Sequence, residues 1–238
     1  MRKVVGISQK TRRAWLDAGL DLLVQTTNEA ELRELLDKYL IDDLPGKESR
    51  AKSAGIVLRI WSSIPPKRVS IRDRALALLP QISGQERIWL HWGMAALAYP
   101  FFRDTAEVVG RLLWLQDSFT TKQVQNRIVP VWGDRTTVTE ATQKLITSFI
   151  EWGVLHSSRP GHLEPSERLR TDNEELELWL LHALLAANPA DEIELNQLWR
   201  LPESFPFCYS LSVADIRGCG DLEIHRQGFD MNMVVIRK

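Results

Sequence analysis

The chain has 238 residues, of which 44% are hydrophobic and 26% are charged, and its formal net charge is −1. This composition is that of a globular protein with ample apolar material for a core, and no run of about 18 apolar residues predicts a membrane-spanning helix. The N-terminus lacks the apolar stretch of a signal peptide, and Cys208 and Cys219 suggest neither a disulfide framework nor a metal site, so we expect a cytoplasmic protein that does not associate with a membrane.

The charges are distributed unevenly along the chain. Residues 1–80 carry a net charge of +5, residues 81–170 a net charge of +1, and residues 171–238 a net charge of −7. Either the basic and acidic ends have different partners, or the asymmetry is ordinary surface variation. We divide the chain at these boundaries into an N-terminal helical domain like a helix-turn-helix, a central unit of helices with a winged helix, and an acidic C-terminal segment of helices and strands.

Hydrophobic periodicity predicts mostly helices. They are expected at about 11–25, 28–40, 47–62, 69–79, 83–97, 101–117, 120–131, 137–152, 173–187 and 191–200. A short helix is expected at 212–215, and two strands at 222–225 and 233–236 are separated by Gln227, Gly228 and Asp230. The predicted fold class is mainly α, a helical bundle with a winged helix-turn-helix and a small α+β segment at the C-terminus.

The segment 106–164 reads as three helices followed by a hairpin. A capping box at Thr137–Glu140 begins the third helix, and Gly153 provides the left-handed residue that ends such helices. Val154–His156 and Gly161–Glu164 then flank a short turn. This order is typical of a winged helix, in which the third helix packs its apolar side inward and lays its opposite side in a major groove.

The polar side of the third helix supplies most of the candidate nucleic-acid contacts. Val138, Ala141, Leu145, Phe149 and Trp152 form the apolar side. The opposite side offers hydrogen-bonding side chains and two cations, which are Arg135, Thr136, Thr139, Gln143, Lys144 and Thr147. Arg159 at the hairpin tip would reach a phosphate or a minor groove.

A second basic surface lies on the predicted helix 47–62. Lys47, Arg50, Lys52 and Arg59 follow a Pro-Gly turn, and the preceding helix makes this another plausible helix-turn-helix. Such cations either contact phosphates, with salt sensitivity as the signature, or form an ordinary solvated helix face.

No catalytic or metal-binding pattern stands out. The five histidines form no H-x-x-x-H pair, and no phosphate-binding loop or nucleophile elbow is present. We expect His91 to be a packed helix histidine. We expect His156 and His162 to face each other across the hairpin, either as a plain strand pair or as a pH-sensitive pair. We therefore predict a protein that is not an enzyme, with no catalytic residues, no metal and no cofactor.

Residues 12–155 resemble the BrxA-like proteins of BREX-type bacterial phage-defence clusters. The resemblance is carried by the order and spacing of Leu20–Leu23, the basic helix 47–61, Trp89–Trp92 with Ala98–Asp104, and the run 120–155. It implies a small helical DNA-binding accessory protein with a wing. It also implies a DNA role for Lys47, Arg50, Lys52 and the exposed side of residues 136–147.

Three functions follow as hypotheses. The first is a non-catalytic accessory protein that binds double-stranded DNA through the winged helix and the basic helix. The resemblance implies that it acts in bacterial phage defence. The second is a scaffold or adaptor subunit that contacts other proteins of the same operon through the winged helix and the acidic C-terminal segment 171–238. The third is a transcriptional repressor, which would need a dimer and paired half-sites.

Overall fold

The computed structural model describes residues 3–190, 192–227 and 231–237. The described residues are 59% helical and form two small sheets. Their helices are α1 (Arg13–Gln25), α2 (Glu29–Tyr39), α3 (Lys47–Trp61), α4 (Val69–Leu78), α5 (Arg87–Ala98), α6 (Pro100–Leu113), α7 (Thr121–Trp132), α8 (Thr136–Glu151), α9 (Glu174–Ala187), α10 (Leu195–Leu198) and α11 (Val213–Gly218). Their strands are β1 (Leu155–Arg159), β2 (His162–Pro165), β3 (Glu192–Glu194), β4 (Leu222–Gln227) and β5 (Met231–Ile236).

The predicted mainly helical fold with a small C-terminal sheet is confirmed, and three element predictions need correction. The helix expected at 83–97 begins at Arg87. The helix expected at 101–117 ends at Leu113, so Trp114 and Leu115 are exposed. The region 191–200 was expected to be one helix, but within its described part β3 precedes the single turn α10. The reason is tertiary, because β3 pairs antiparallel with β5. Residues 228 and 230 of the expected turn lie outside the described residues.

Local side-chain bonds explain where several helices begin. Asn28 accepts hydrogen bonds from the first turn of α2, and Thr120 with Gln123 forms a reciprocal capping box on α7. The capping box predicted at Thr137–Glu140 is wrong. Helix α8 already begins at Thr136, directly after Arg135, and no side chain caps it.

Helix α5 lies at the centre of the fold. Every side chain from Ile88 to Leu97 is buried, and the helix packs against α3, α6 and α9. The indole N–H of Trp92 donates to the carbonyl of Glu203 at 2.9 Å, and its ring lies among aromatic rings of α6, α8 and the C-terminal segment. Buried apolar residues from all three predicted segments therefore belong to one cluster.

Helix α5, although strongly apolar, is too short to cross a bilayer, because a crossing needs about 20 apolar residues. None of the helices in the described ranges has the length and apolar content that a membrane span requires.

Candidate nucleic-acid interface

Helices α6, α7 and α8 are joined to the β1–β2 hairpin by backbone pairing as well as by packing. Strands β1 and β2 are antiparallel, with Leu155 opposite Pro165. Phe119, in the extended link between α6 and α7, exchanges backbone hydrogen bonds of 2.9 and 2.8 Å with Leu163 of β2. The hairpin thus gains a third extended segment and is tied to the turn between the first two helices.

The inward side of α8 is formed as the sequence predicts. Its apolar row is buried throughout, comprising Val138, Ala141, Leu145, Phe149 and Trp152. In addition, the side-chain amide of Gln125 in α7 donates to the carbonyl of Thr139 at 3.1 Å. Because that amide is buried, the bond fixes α7 against α8 with little freedom to slide.

The outward side of α8 is open to solvent. Thr136, Glu140, Gln143 and Lys144 are exposed, and Thr139 and Thr147 are partly buried. The hydroxyl of Thr147 donates to the carbonyl of Gln143 at 2.9 Å, so it is already used within the helix. The polar side chains free to contact a ligand therefore lie between Thr136 and Lys144.

Two cations lie together at the N-terminal end of α8. The guanidinium of Arg135 donates to the carbonyls of Lys3 and Trp132 at 3.0 and 2.9 Å. The ammonium of Lys3 lies 5.1 Å from the centre of the Trp132 ring. Because no side chain caps α8, its first backbone N–H groups face the same region, and the positive end of the helix dipole adds to the field of the two cations.

The N-terminal segment of the chain anchors the other end of α8. The N–H of Thr11 donates to the hydroxyl of Ser148, and the indole of Trp152 donates to the carbonyl of Thr11, both at 2.9 Å. The ammonium of Lys10 lies 2.9 Å from a carboxylate oxygen of Glu151. Glu151 thus has a positive partner, which reduces its repulsion of an anionic ligand.

The hairpin tip presents Arg159 to solvent. Its guanidinium nitrogen lies 3.4 Å from Nδ1 of His162. The expected pairing of His156 with His162 is wrong, because His156 lies opposite Glu164 and Arg159 lies opposite His162. An irregularity between Ser157 and Arg159 shifts the register, and periodicity does not reveal such a shift.

Arg50 of α3 is buried, which corrects the expectation that it contacts nucleic acid. Its Nε donates to a carboxylate oxygen of Asp37 at 3.0 Å, and one terminal nitrogen donates to the carbonyls of Leu44 and Pro45 at 3.0 and 2.8 Å. The guanidinium therefore holds the turn between α2 and α3 closed. We exclude Arg50 from the interface proposed below.

The other three cations of α3 do not form one free row. Lys47 and Lys52 are five residues apart, so they project about 140° apart around the helix. The ammonium of Lys52 lies 2.7 Å from the carboxylate of Glu48, and the guanidinium of Arg59 lies 5.3 Å from the Tyr99 ring centre. This surface offers a weaker positive field than the sequence suggests.

Thr136, Gln143 and Lys144 thus lie on the outward side of α8, Arg135 directly precedes the helix, and Arg159 lies at the tip of the hairpin that follows it. Lys3 joins this group, although no sequence signal placed it there, because its position depends on the N-terminal segment crossing the bundle. In the described ranges, no three His, Cys, Asp or Glu side chains cluster in a way that would hold a metal ion.

In comparisons with known proteins, no protein-family model, curated protein or solved structure matches the chain. A functional assignment therefore depends on the residues described above.

Proposed function

We propose that the protein is a non-catalytic accessory protein that binds double-stranded DNA through the outward side of α8 and the tip of the β1–β2 hairpin. The observation that supports this most directly is the open polar side of a helix whose apolar side is fully packed. The elements around the helix give further support.

The order of elements supports this proposal, because it is the order expected of a winged helix-turn-helix. Helices α6, α7 and α8 are followed by a hairpin, and Phe119 between the first two helices pairs with the second strand of that hairpin. In folds of this type the third helix enters the major groove, and its N-terminal residues reach the base edges. The exposed Gln143 and Lys144 lie on the side of α8 that would face the bases.

Each polar group has a distinct role in this arrangement. Gln143 is suited to bidentate contact with adenine, and Lys144 to guanine or a phosphate. Arg135, Lys3 and the uncapped first turn of α8 would bind the flanking phosphates, which position the protein without reading sequence. Arg159 at the hairpin tip would contact the sugar-phosphate backbone of the DNA. Glu140 opposes phosphate contact near its own position and limits how the helix can lie.

The biological setting is proposed from the sequence resemblance alone. The likeness of residues 12–155 to BrxA-like proteins favours an accessory role in bacterial phage defence. A defence accessory protein that binds DNA is compatible with the absence of any recognised catalytic motif.

The test is the binding of the full chain to a fluorescently labelled duplex, followed by anisotropy. We expect binding that weakens steeply between about 50 and 200 mM salt, because cations released from the phosphates drive the association. Lys144→Glu with Arg159→Glu should weaken binding by about tenfold or more and lower the salt slope by about one for each phosphate that the variant no longer neutralises. Arg217→Glu, an exposed change on α11, is the charge-reversal control and should bind as the unmodified chain does.

Two results would overturn the proposal. One is the absence of duplex binding at low salt. The other is binding that survives Lys144→Glu with Arg159→Glu but is abolished in Lys47→Glu with Lys52→Glu, which would move the interface to α3.

The purified protein also distinguishes the two alternative functions, a scaffold and a transcriptional repressor. Stable co-purification with the products of neighbouring genes, without retained DNA, would favour the scaffold. A dimer in light scattering, bound to paired half-sites, would favour the repressor.

A further inference from the structure

A groove lies between the end of α6 and the segment that follows α10. It encloses about 300 Å³. Its walls include Trp114 from the end of α6, Trp199 and Leu201 after α10, and Pro165 at the end of β2. We call this feature the Trp114 groove.

Close packing beneath the groove gives it a firm base. Gly110 of α6 lies directly against the backbone of Pro202, and a methyl group at position 110 would overlap the carbonyl of that residue. The hydroxyl of Ser204 donates to the carbonyl of Leu201 at 2.8 Å, which holds the turn that forms the floor. A pocket supported in this way does not need to form when a ligand arrives.

The rim of the groove carries large apolar side chains that are exposed to solvent. Trp114 is 60% exposed, and the adjacent Leu115 is 78% exposed. Trp199 is partly buried against the core. Aromatic side chains with one face packed and one face free are typical anchors of protein interfaces.

The charge of the groove is positive. Arg168 and Arg200 are the charged residues among those lining it, and both are exposed. The guanidinium of Arg168 donates to the carbonyl of Phe207, which leaves further donors unused. Within the described ranges, neither arginine has a carboxylate partner within ion-pair distance. The groove therefore complements an occupant that combines an apolar side chain with negative charge.

We propose that the Trp114 groove binds an acidic peptide segment of a partner protein. One bulky apolar side chain of that segment enters the cavity against Trp114 and Trp199, and Asp or Glu side chains on either side of it pair with Arg168 and Arg200. Guanidinium groups bind carboxylates with two parallel hydrogen bonds, so the two arginines would fix the direction of the peptide as well as its charge.

A single-stranded nucleic acid fits the groove less well. Such ligands need a cationic track that follows many phosphates and several stacking rings in succession. The Trp114 groove offers two cations and one half-open cavity of about 300 Å³. A peptide with a single anchor matches both features.

The test is a selection of random displayed peptides on the intact full chain. The recovered peptides are expected to share one Trp, Phe or Leu flanked by Asp and Glu. A labelled peptide of this kind should bind at least about tenfold more weakly to Arg200→Glu and to Trp114→Ala. Both positions are exposed, so neither change is expected to disturb folding, and thermal unfolding of each variant checks this. Replacing the acidic residues of the peptide with Asn and Gln should weaken binding to the same extent.

Three controls decide the outcome. Arg217→Glu should bind the peptide normally, and so should Lys144→Glu with Arg159→Glu, which separates this groove from the proposed DNA interface. Recovered peptides without acidic residues, or binding that survives both groove changes, would overturn the proposal. Labelled oligothymidylate that binds the chain and is released by Trp114→Ala would overturn it in favour of single-stranded nucleic acid.

Discussion

The indole N–H of Trp61 donates to Nδ1 of the fully buried His91 at 3.2 Å. Because an indole nitrogen can only donate, Nδ1 of His91 must be unprotonated. Its Nε2 therefore carries the proton and donates to the carboxylate of Asp17 at 2.9 Å. The pair Trp61 and Asp17 thus selects one neutral tautomer of His91 and links α1, α3 and α5.

This arrangement makes stability depend on pH. Burial lowers the pKa of His91, and this effect outweighs the opposing influence of Asp17. Below the ordinary histidine pKa of about 6.5, His91 binds a proton in the unfolded chain but stays neutral in the folded chain. The free energy of unfolding should therefore fall as pH drops below about 6.5, by up to about 1.4 kcal/mol per pH unit for this residue.

Urea unfolding at several pH values measures the effect. His91→Gln retains an amide donor for Asp17 and an oxygen for Trp61 but does not titrate, so its pH dependence should be shallower. His156→Gln, at an exposed position on β1, controls for the loss of one imidazole. An unchanged slope in His91→Gln would contradict this account.

His182 of α9 is expected to remain neutral in mildly acidic solution. Burial, with a smaller contribution from Arg74, lowers its pKa to about 4. The folded state therefore gains stability from a neutral His182 above about pH 6.5, and this contribution is lost as pH falls from about 6.5 toward 4. Histidine NMR spectra should show the neutral imidazole of His182 at pH 5, and a ring that protonates near pH 6.5 would refute the prediction.

Gly110→Ala should destabilise the fold strongly. The added methyl group meets the backbone of Pro202, which has no side-chain freedom with which to yield. We expect a loss of about 3 kcal/mol in the free energy of unfolding. Gly55→Ala in α3 is the matched control, because nothing lies within 4 Å of its added methyl group. It should gain about 0.5–1 kcal/mol from helix propensity, and equal effects at the two positions would disprove the packing argument.

Arg50→Ala should lower stability by about 2–3 kcal/mol. The change removes three hydrogen bonds and leaves the carbonyls of Leu44 and Pro45 without their donor. Lys52→Ala on the same helix removes only an exposed pair with Glu48, so it should change stability by less than about 0.5 kcal/mol. Thermal or urea unfolding of the two variants distinguishes a structural arginine from a surface cation.

Thr120→Ala should cost about 1 kcal/mol, because it removes the capping box of α7. Thr137→Ala is the informative comparison, since the sequence pattern assigns position 137 to a cap and the structure places it inside the first turn of α8. It should be close to neutral. A larger loss at position 137 than at position 120 would restore the original capping prediction.

Much of the secondary structure followed from the sequence, because its signals are local. The start of α7 near Thr120, the apolar row of α8 from Val138 to Phe149 and the turn before β2 each depend on neighbours a few residues away. The same signals misplaced the start of α8, because Thr137 and Glu140 match a capping box, whereas the helix begins at Thr136 with Arg135 as an N-cap that makes no side-chain hydrogen bond. They also missed β3, because a three-residue strand forms only when β5 lies beside it.

For the candidate site, the sequence alone determined which side chains of α8 are polar and which are apolar. Only the tertiary structure decided that Arg50 is buried while Lys144 is free, that Lys3 lies beside Arg135, and that Trp114 borders a groove with Arg200. The physical reason is that periodicity reports which side of one helix is apolar, whereas the exposure of a charge depends on what every other segment places against it. The sequence alone does not distinguish a cation that a turn buries from a cation that is open to solvent.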